Sequence, residues 1–264
     1  MRLEVSCTIR MECALPTPLI LLLRPRSNRH QWVVSEHYSL DPHVPATEYV
    51  DGFGNLCQRL VAPVGPLSIQ AGAEVEVAPS VDTAPGAPYV LVENIPDQLM
   101  VYLMPSRFCE SDRLGGLAAD VARDQIPGYD QVAAISRWVN RQLRYLSDSD
   151  PQPISAVEAN ARREGVCRDF AHLGIALCRS LNIPARLVAG YSQDLQPMDL
   201  HAWFEAYVGG RWYTFDPTQP YANKARVTVA RGRDAADVPV FNQFGPPVTP
   251  SGMDVFVRVA GSGR

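Results

Sequence analysis

The sequence predicts an α+β protein in two parts: an antiparallel, sandwich-like β module over residues 1–105 and a mixed helix-and-strand domain over residues 106–264. Three observations predict it. Apolar and polar residues alternate in the opening stretch, the apolar period lengthens to about three and a half beyond Ser106, and prolines recur between residues 85 and 105 where the two regimes meet. A length of 264 residues with 46% apolar and 20% charged content suits a folded chain with a sizeable core.

The opening "RLEVSCTIRME" sets Leu3, Val5, Cys7, Ile9 and Met11 on one side and charged or hydroxyl residues on the other, the pattern of a half-buried strand. Further strands are expected over residues 19–23, 31–38, 54–61 and 74–77, separated by Pro, Gly and Asn. In the second part, "YDQVAAISRWVNRQLRYL" predicts a helix capped by Asp130, with Val132, Ile135, Val139, Leu143 and Leu146 as its stripe and Trp138 at the margin. A shorter helix is expected over residues 155–163, ended by Gly165. The next starts at about Cys167, buries Phe170, Leu173, Gly174, Leu177, Cys178 and Leu181, and stops at Asn182 and Pro184. The segments "ARLVAGY", "LHAWFEAYV" and "RWYTFDP" then read as strands, the last two joined by Gly209 and Gly210.

A net charge of -4 and a pI near 5.7 offer nothing to a phosphate backbone or an anionic bilayer, so neither nucleic acid nor membrane is expected as a partner. The longest aliphatic run, residues 19–23, is too short to span a bilayer, and the acids and prolines before it do not suit a secretory signal; a cytoplasmic address is the expectation. The six cysteines, Cys7, Cys13, Cys57, Cys109, Cys167 and Cys178, form no C-x-x-C pair. This argues against a zinc site, and most of them are expected to be small buried hydrophobes.

Cys167 is the exception, because the first turn of a helix offers unpaired N–H groups and a positive dipole end that favour a thiolate. A Gly209–Gly210 hairpin turn pairs Val208 with Arg211, Glu205 with Thr214 and Trp203 with Asp216, which puts His201, Trp203 and Asp216 on one face. His201 and Asp216 are then diagonal neighbours at roughly 7–8 Å between backbones, close enough for carboxylate to meet imidazole. Taken singly, a cysteine ahead of an amphipathic helix is ordinarily inert, a strand histidine structural and an Asp before Pro a turn former. Their combination with matching parity is what points to chemistry. His172 competes as a base, but five residues along the helix it lies about 140° round from Cys167.

"GVCRDFAHL", "IPARLVAGY", "HAWFEAYV" and "WYTFDPT" together resemble the core of the transglutaminase-like superfamily, specifically the bacterial transglutaminase-like proteins of the cysteine-protease type. The strand-rich start resembles their N-terminal β region, and "VTVARGRDAADVPV" their closing segment. The resemblance implies a papain-like or transglutaminase-like core, with the nucleophile at a helix N-terminus packed on an antiparallel sheet. It assigns Cys167 as nucleophile, His201 as base and Asp216 as orienting carboxylate, and it implies acyl transfer through a thioester on a protein or peptide substrate. Tyr145 is the candidate second oxyanion donor beside the Cys167 backbone N–H, against its plainer reading as an aromatic at a helix end. Trp203 is a candidate cleft wall, against ordinary core packing.

No cofactor and no metal are expected. Animal transglutaminases depend on calcium, whereas the nearest acidic run here, "SDSD" at 147–150, reads as a solvated loop. EGTA is accordingly expected to leave activity unchanged, and a loss restored by calcium would overturn this. Three functions follow: a cysteine-dependent amidase or peptidase, a protein-glutamine transamidase, and a non-catalytic peptide-binding module on the same fold.

Overall fold

The alternation at the start of the chain becomes strand β1 (Arg2–Cys13), with Leu3, Val5, Cys7, Ile9, Met11 and Cys13 buried. The structure, a computed structural model, describes residues 1–146, 152–221, 223–246, 248 and 250–261; the acidic run at 147–150 lies outside them. Strands β2 (Thr17–Leu21), β3 (Gln31–Asp41), β4 (Ala46–Val50), β5 (Leu56–Ala62) and β6 (Gly65–Val77) follow β1. All five residues of β4 are exposed, so "ATEYV" has no inward face for a sequence pattern to reveal; its pairing with β5 alone makes it a strand. Buried Arg24 reaches Glu36 on β3 and Glu48 on β4, tying the edges of two sheets with one guanidinium.

After a proline-rich passage with three turns of 3-10 helix come α1 (Gly115–Ala122), α2 (Tyr129–Gln142), β7 (Arg144–Tyr145), α3 (Ala156–Arg162), β8 (Glu164–Gly165) and α4 (Cys167–Ser180). The α2 stripe is buried at Val132, Ile135 and Val139, and at Leu143 just beyond the helix. Its cap is Gly128, however, not Asp130. The Gln131 side chain accepts from the Gly128 N–H at 3.2 Å, while Asp130 sits inside the first turn, where the helix dipole favours an acid, and accepts from Gly86. Ser155 caps α3 as its sequence suggests, but the helix closes on Arg163 in the left-handed region (φ 61°), which leaves Gly165 free to pair in β8. Helix α4 ends at Ser180, and the chain leaves it through Asn182, also left-handed (φ 59°).

Strands β9 (Ala185–Ser192), β10 (His201–Val208), β11 (Arg211–Phe215) and β12 (Arg226–Gly232) make an antiparallel sheet in the order β11-β10-β9-β12, and α4 packs against β9 and β10. Gly209 (φ 59°) and Gly210 (φ 83°) form the two-residue turn, and the register Val208–Arg211, Glu205–Thr214 is the one their positive φ values dictate. The chain does not finish in this sheet. Strand β13 (Phe241–Gln243) pairs with β2, and β14 (Pro250–Val259) pairs with β1 from Leu3 to Met11. The expected second part, 106–264, therefore gives its last strands to the first, completing two four-stranded sheets, β14-β1-β6-β3 and β13-β2-β5-β4. Without β14, β1 would present a long apolar strand at a bare sheet edge.

Candidate active site

Cys167 opens α4, half-buried, after Val166 in extended conformation (ψ 179°). No side chain caps the helix from Val166. Instead buried Asp169 reaches back, accepting from the Val166 N–H at 2.9 Å and the Ile154 N–H at 3.4 Å, and fixes the loop that delivers the cysteine. The short parallel ladder of β7 with β8 places Tyr145 opposite Gly165, beside that loop. The Tyr145 hydroxyl lies within hydrogen-bonding reach of both the thiol and the backbone N–H of Cys167. Its ring remains 48% exposed, while burial around the hydroxyl, the cysteine sulfur and Asp199 push the phenol up to about 12.

His201 begins β10, and its Nε2 is hydrogen-bonded to Asp216 Oδ2 at 2.6 Å. With Nε2 so engaged, Nδ1 is the ring nitrogen left for the Cys167 thiol, which lies near enough to act on the imidazole. Burial alone would lower this imidazole. The Asp216 charge and hydrogen bond outweigh that, Cys167 adds to them, and the histidine is raised to about 9. Asp199, two residues before His201, adds a carboxylate nearby; burial raises it, against the Leu200 N–H and His201.

Asp216 lies just past β11 in a turn that its own side chain organises, Oδ1 accepting from the Thr218 N–H at 3.0 Å and hydroxyl at 2.6 Å. Asn140 of α2 steadies the turn by donating to the Pro217 carbonyl at 2.8 Å. Burial would raise the carboxyl, but His201, Arg226 and Thr218 hold it well below the usual carboxylate range. Arg226, on β12, places Nη1 2.9 Å from Asp216 Oδ2 and stacks its guanidinium 5.0 Å above the Trp203 ring. The contact is an ion pair without a directed hydrogen bond, and Nε has no partner among the described residues either. Trp203 lies beneath this pair and beside His201 (ring centroids 6.1 Å apart) and is 1% exposed. It is a floor to the site, not an open cleft wall. Gly190, opposite His201 on β9, makes room for it: a Cβ there would lie 2.0 Å from the Val227 carbonyl oxygen and 3.1 Å from the indole.

The structure thus brings Cys167, His201, Asp216 and Tyr145 together, and adds Arg226, Asp169 and Asn140, which sequence reasoning missed. A signal existed only for Asp169, an acid at the third helical position. His172 stands apart. Fully buried, it donates from Nδ1 to the Ile154 carbonyl (3.1 Å), accepts from the Ala235 N–H at Nε2 (3.1 Å) and stacks on Phe108. Both nitrogens are spoken for, and burial lowers its affinity for a second proton. Among the described residues, no group of three or more His, Cys, Asp or Glu side chains is placed to hold a metal ion.

Residues 115–217 match the family described as the transglutaminase-like superfamily, and residues 16–76 the bacterial transglutaminase-like N-terminal region. The chain is 33% identical to a candidate cysteine protease from Cytophaga hutchinsonii, whose crystal structure superposes with a TM-score of 0.91 over 100% of this chain and 92% of that one. An uncharacterized protein of Mycobacterium leprae is 29% identical over 82% of each chain, and one of Mycobacterium tuberculosis 28% identical over 82% of this chain and 78% of its own.

Proposed function

Because the chain belongs to the transglutaminase-like superfamily, we propose that it is a cysteine-dependent hydrolase of protein or peptide amides. The observation that carries the reading is the 2.6 Å bond from His201 Nε2 to Asp216, which turns the other ring nitrogen toward a cysteine at a helix N-terminus. The Cys167 thiolate attacks the amide carbonyl, and the oxyanion settles against the Cys167 N–H and the Tyr145 hydroxyl. His201 Nδ1–H then protonates the departing amine as the C–N bond breaks, leaving a thioester. Neutral His201 next draws a proton from water, whose oxygen attacks the thioester, and the acid leaves as Cys167 returns to thiolate and His201 to imidazolium. Asp216 takes up no proton at any stage; it fixes the ring and balances the imidazolium.

The test is amine release from a library of fluorogenic peptide amides, run beside incorporation of a labelled primary amine into a glutamine-bearing protein, with Cys167→Ala as control. Cys167-dependent release supports the hydrolase. Amine incorporation that outpaces hydrolysis at high amine concentration would replace it with a transamidase. Neither activity, together with a Cys167 that alkylates like a free thiol, would favour a binding module.

A further inference from the structure

A cysteine–histidine–carboxylate site needs no fourth charge, yet this one has a cation 6% exposed at its side chain, on β12 at the far side of the sheet order, with Nη1 2.9 Å from the same carboxylate oxygen that holds His201. We infer that Arg226 is a positioning residue of the triad: stacked on Trp203, it keeps Asp216 ionised and in line, and limits how tightly His201 holds its proton. The inference builds on the proposed catalytic reading of the site, but the property it concerns can be measured without turnover.

The argument is one of charge balance. In the form ready for attack, thiolate and imidazolium cancel, and Asp216 and Arg226 cancel. These four charges then sum to zero, with Asp199 a further acid on the loop before β10 that is the same with or without Arg226. Without Arg226 the same set carries one net negative charge in a poorly solvated place, and the group relieves it by binding protons more tightly. An imidazolium that holds its proton too firmly is a weaker acid toward the departing amine. Facing His201 are Cys167 from α4, Asp199 from the preceding loop and Asp216 after β11; Tyr145 from β7 stands beside Cys167 and Asp199, and Thr218, with Arg226 from β12, beside Asp216. Arg226 is the permanent cation of that set. Because Nε and Nη1 make no directed hydrogen bond, its hold on Asp216 is through charge and stacking, which a lysine can reproduce in charge alone.

The test is a titration of His201 by NMR in full-length, histidine-labelled Cys167→Ala protein, which removes the thiolate and any turnover. Adding Arg226→Met is expected to raise the His201 midpoint by about one pH unit, while Arg226→Lys leaves it within about 0.3 unit, as a retained charge requires. An unmoved midpoint in folded Arg226→Met overturns the inference. Should that variant unfold because buried Asp216 has lost its permanent cation and keeps only His201 and Thr218 as partners, the pair Asp216→Asn and Asp216→Asn with Arg226→Met, which buries no carboxylate, gives the same reading: the midpoint must rise on loss of the arginine, and failure to rise overturns it. Absence of hydrolysis with a shifted midpoint would sink the hydrolase alone; hydrolysis with an unshifted midpoint would sink the role of Arg226 alone.

Discussion

Helix α4 carries a cysteine near each end, and residue type does not separate them. Cys167 is the first helical residue, half-buried, with a tyrosine hydroxyl and an imidazole in reach of its sulfur. Cys178 lies in the last turn, fully buried in the apolar stripe, and burial pushes its thiol well above its ordinary range despite the neighbouring Arg179 charge. The two buried histidines divide the same way. His201 has one nitrogen on a carboxylate and one toward the cysteine, whereas His172 has both on backbone groups. Reactivity here depends on whether a polar atom is left facing another reactive group after the fold has taken what it needs.

The widest separation comes from removing each sulfur in turn. Cys167→Ala is expected to lower amide hydrolysis by about 10⁴-fold or more with little change in melting temperature, since the site loses its nucleophile and the core only a half-buried sulfur at its margin. Equal activity in Cys167→Ala and wild type, measured on the same peptide amide, would mean the chemistry lies elsewhere. Asp216→Asn comes next, at about 10³- to 10⁴-fold, because an amide can present its N–H to Nε2 and force the wrong tautomer. This variant also alters the stability profile. Asp216 is held below its unfolded value, so the stability it contributes is present at neutral pH and lost as pH falls through the carboxylate range; His201, raised to about 9, contributes stability that is complete below about 6.5 and lost as pH rises through about 9. Denaturant midpoints across pH should show both limbs in wild type and flatten in the variant.

Smaller still is Tyr145→Phe, expected to cost about 10²-fold in kcat with little change in KM, the signature of a donor used only as the oxyanion forms. A change confined to KM would make Tyr145 a substrate contact instead. The pH profile places the pair on one scale. Activity should fall above about pH 9 as His201 loses the proton it must donate, and His201→Ala should abolish the preferential alkylation of Cys167 by iodoacetamide at neutral pH.

How much of this could be read from the residues follows the range of the forces involved. The register that aligns His201 with Asp216 was legible because two adjacent glycines admit few turns, and the start of α4 because an apolar stripe begins where small residues end. Tyr145 was legible only as a candidate, since a ladder of one residue pair on either side of α3 leaves no pattern in composition. Arg226 was invisible, because β12 reaches the site only through its pairing with β9, in a register shifted between Thr228 and Ala230. The return of β14 to β1 was missed for the same reason. A strand that satisfies a distant edge carries the alternation of any strand and no address.

The subtlest contrast is a serine placed at each end of α4. At Cys178 the fully buried sulfur gives way to a hydroxyl that must be desolvated among apolar neighbours, so Cys178→Ser should destabilise the fold by about 1–3 kcal/mol, more than Cys178→Ala at about 1 kcal/mol, with activity per folded molecule unchanged. At Cys167 the order of costs reverses between properties. Serine is tolerated by the fold at this half-buried helix start, where a hydroxyl can use the groups that the thiol now meets, yet activity falls nearly as far as with alanine because a hydroxyl does not ionise beside imidazole as a thiol does. Urea midpoints and rates for the four variants give the comparison. A Cys178→Ser protein as stable as wild type would mean that the interior of α4 holds a polar partner for the hydroxyl, and the line drawn between the two ends of the helix would have to be redrawn as one of access alone.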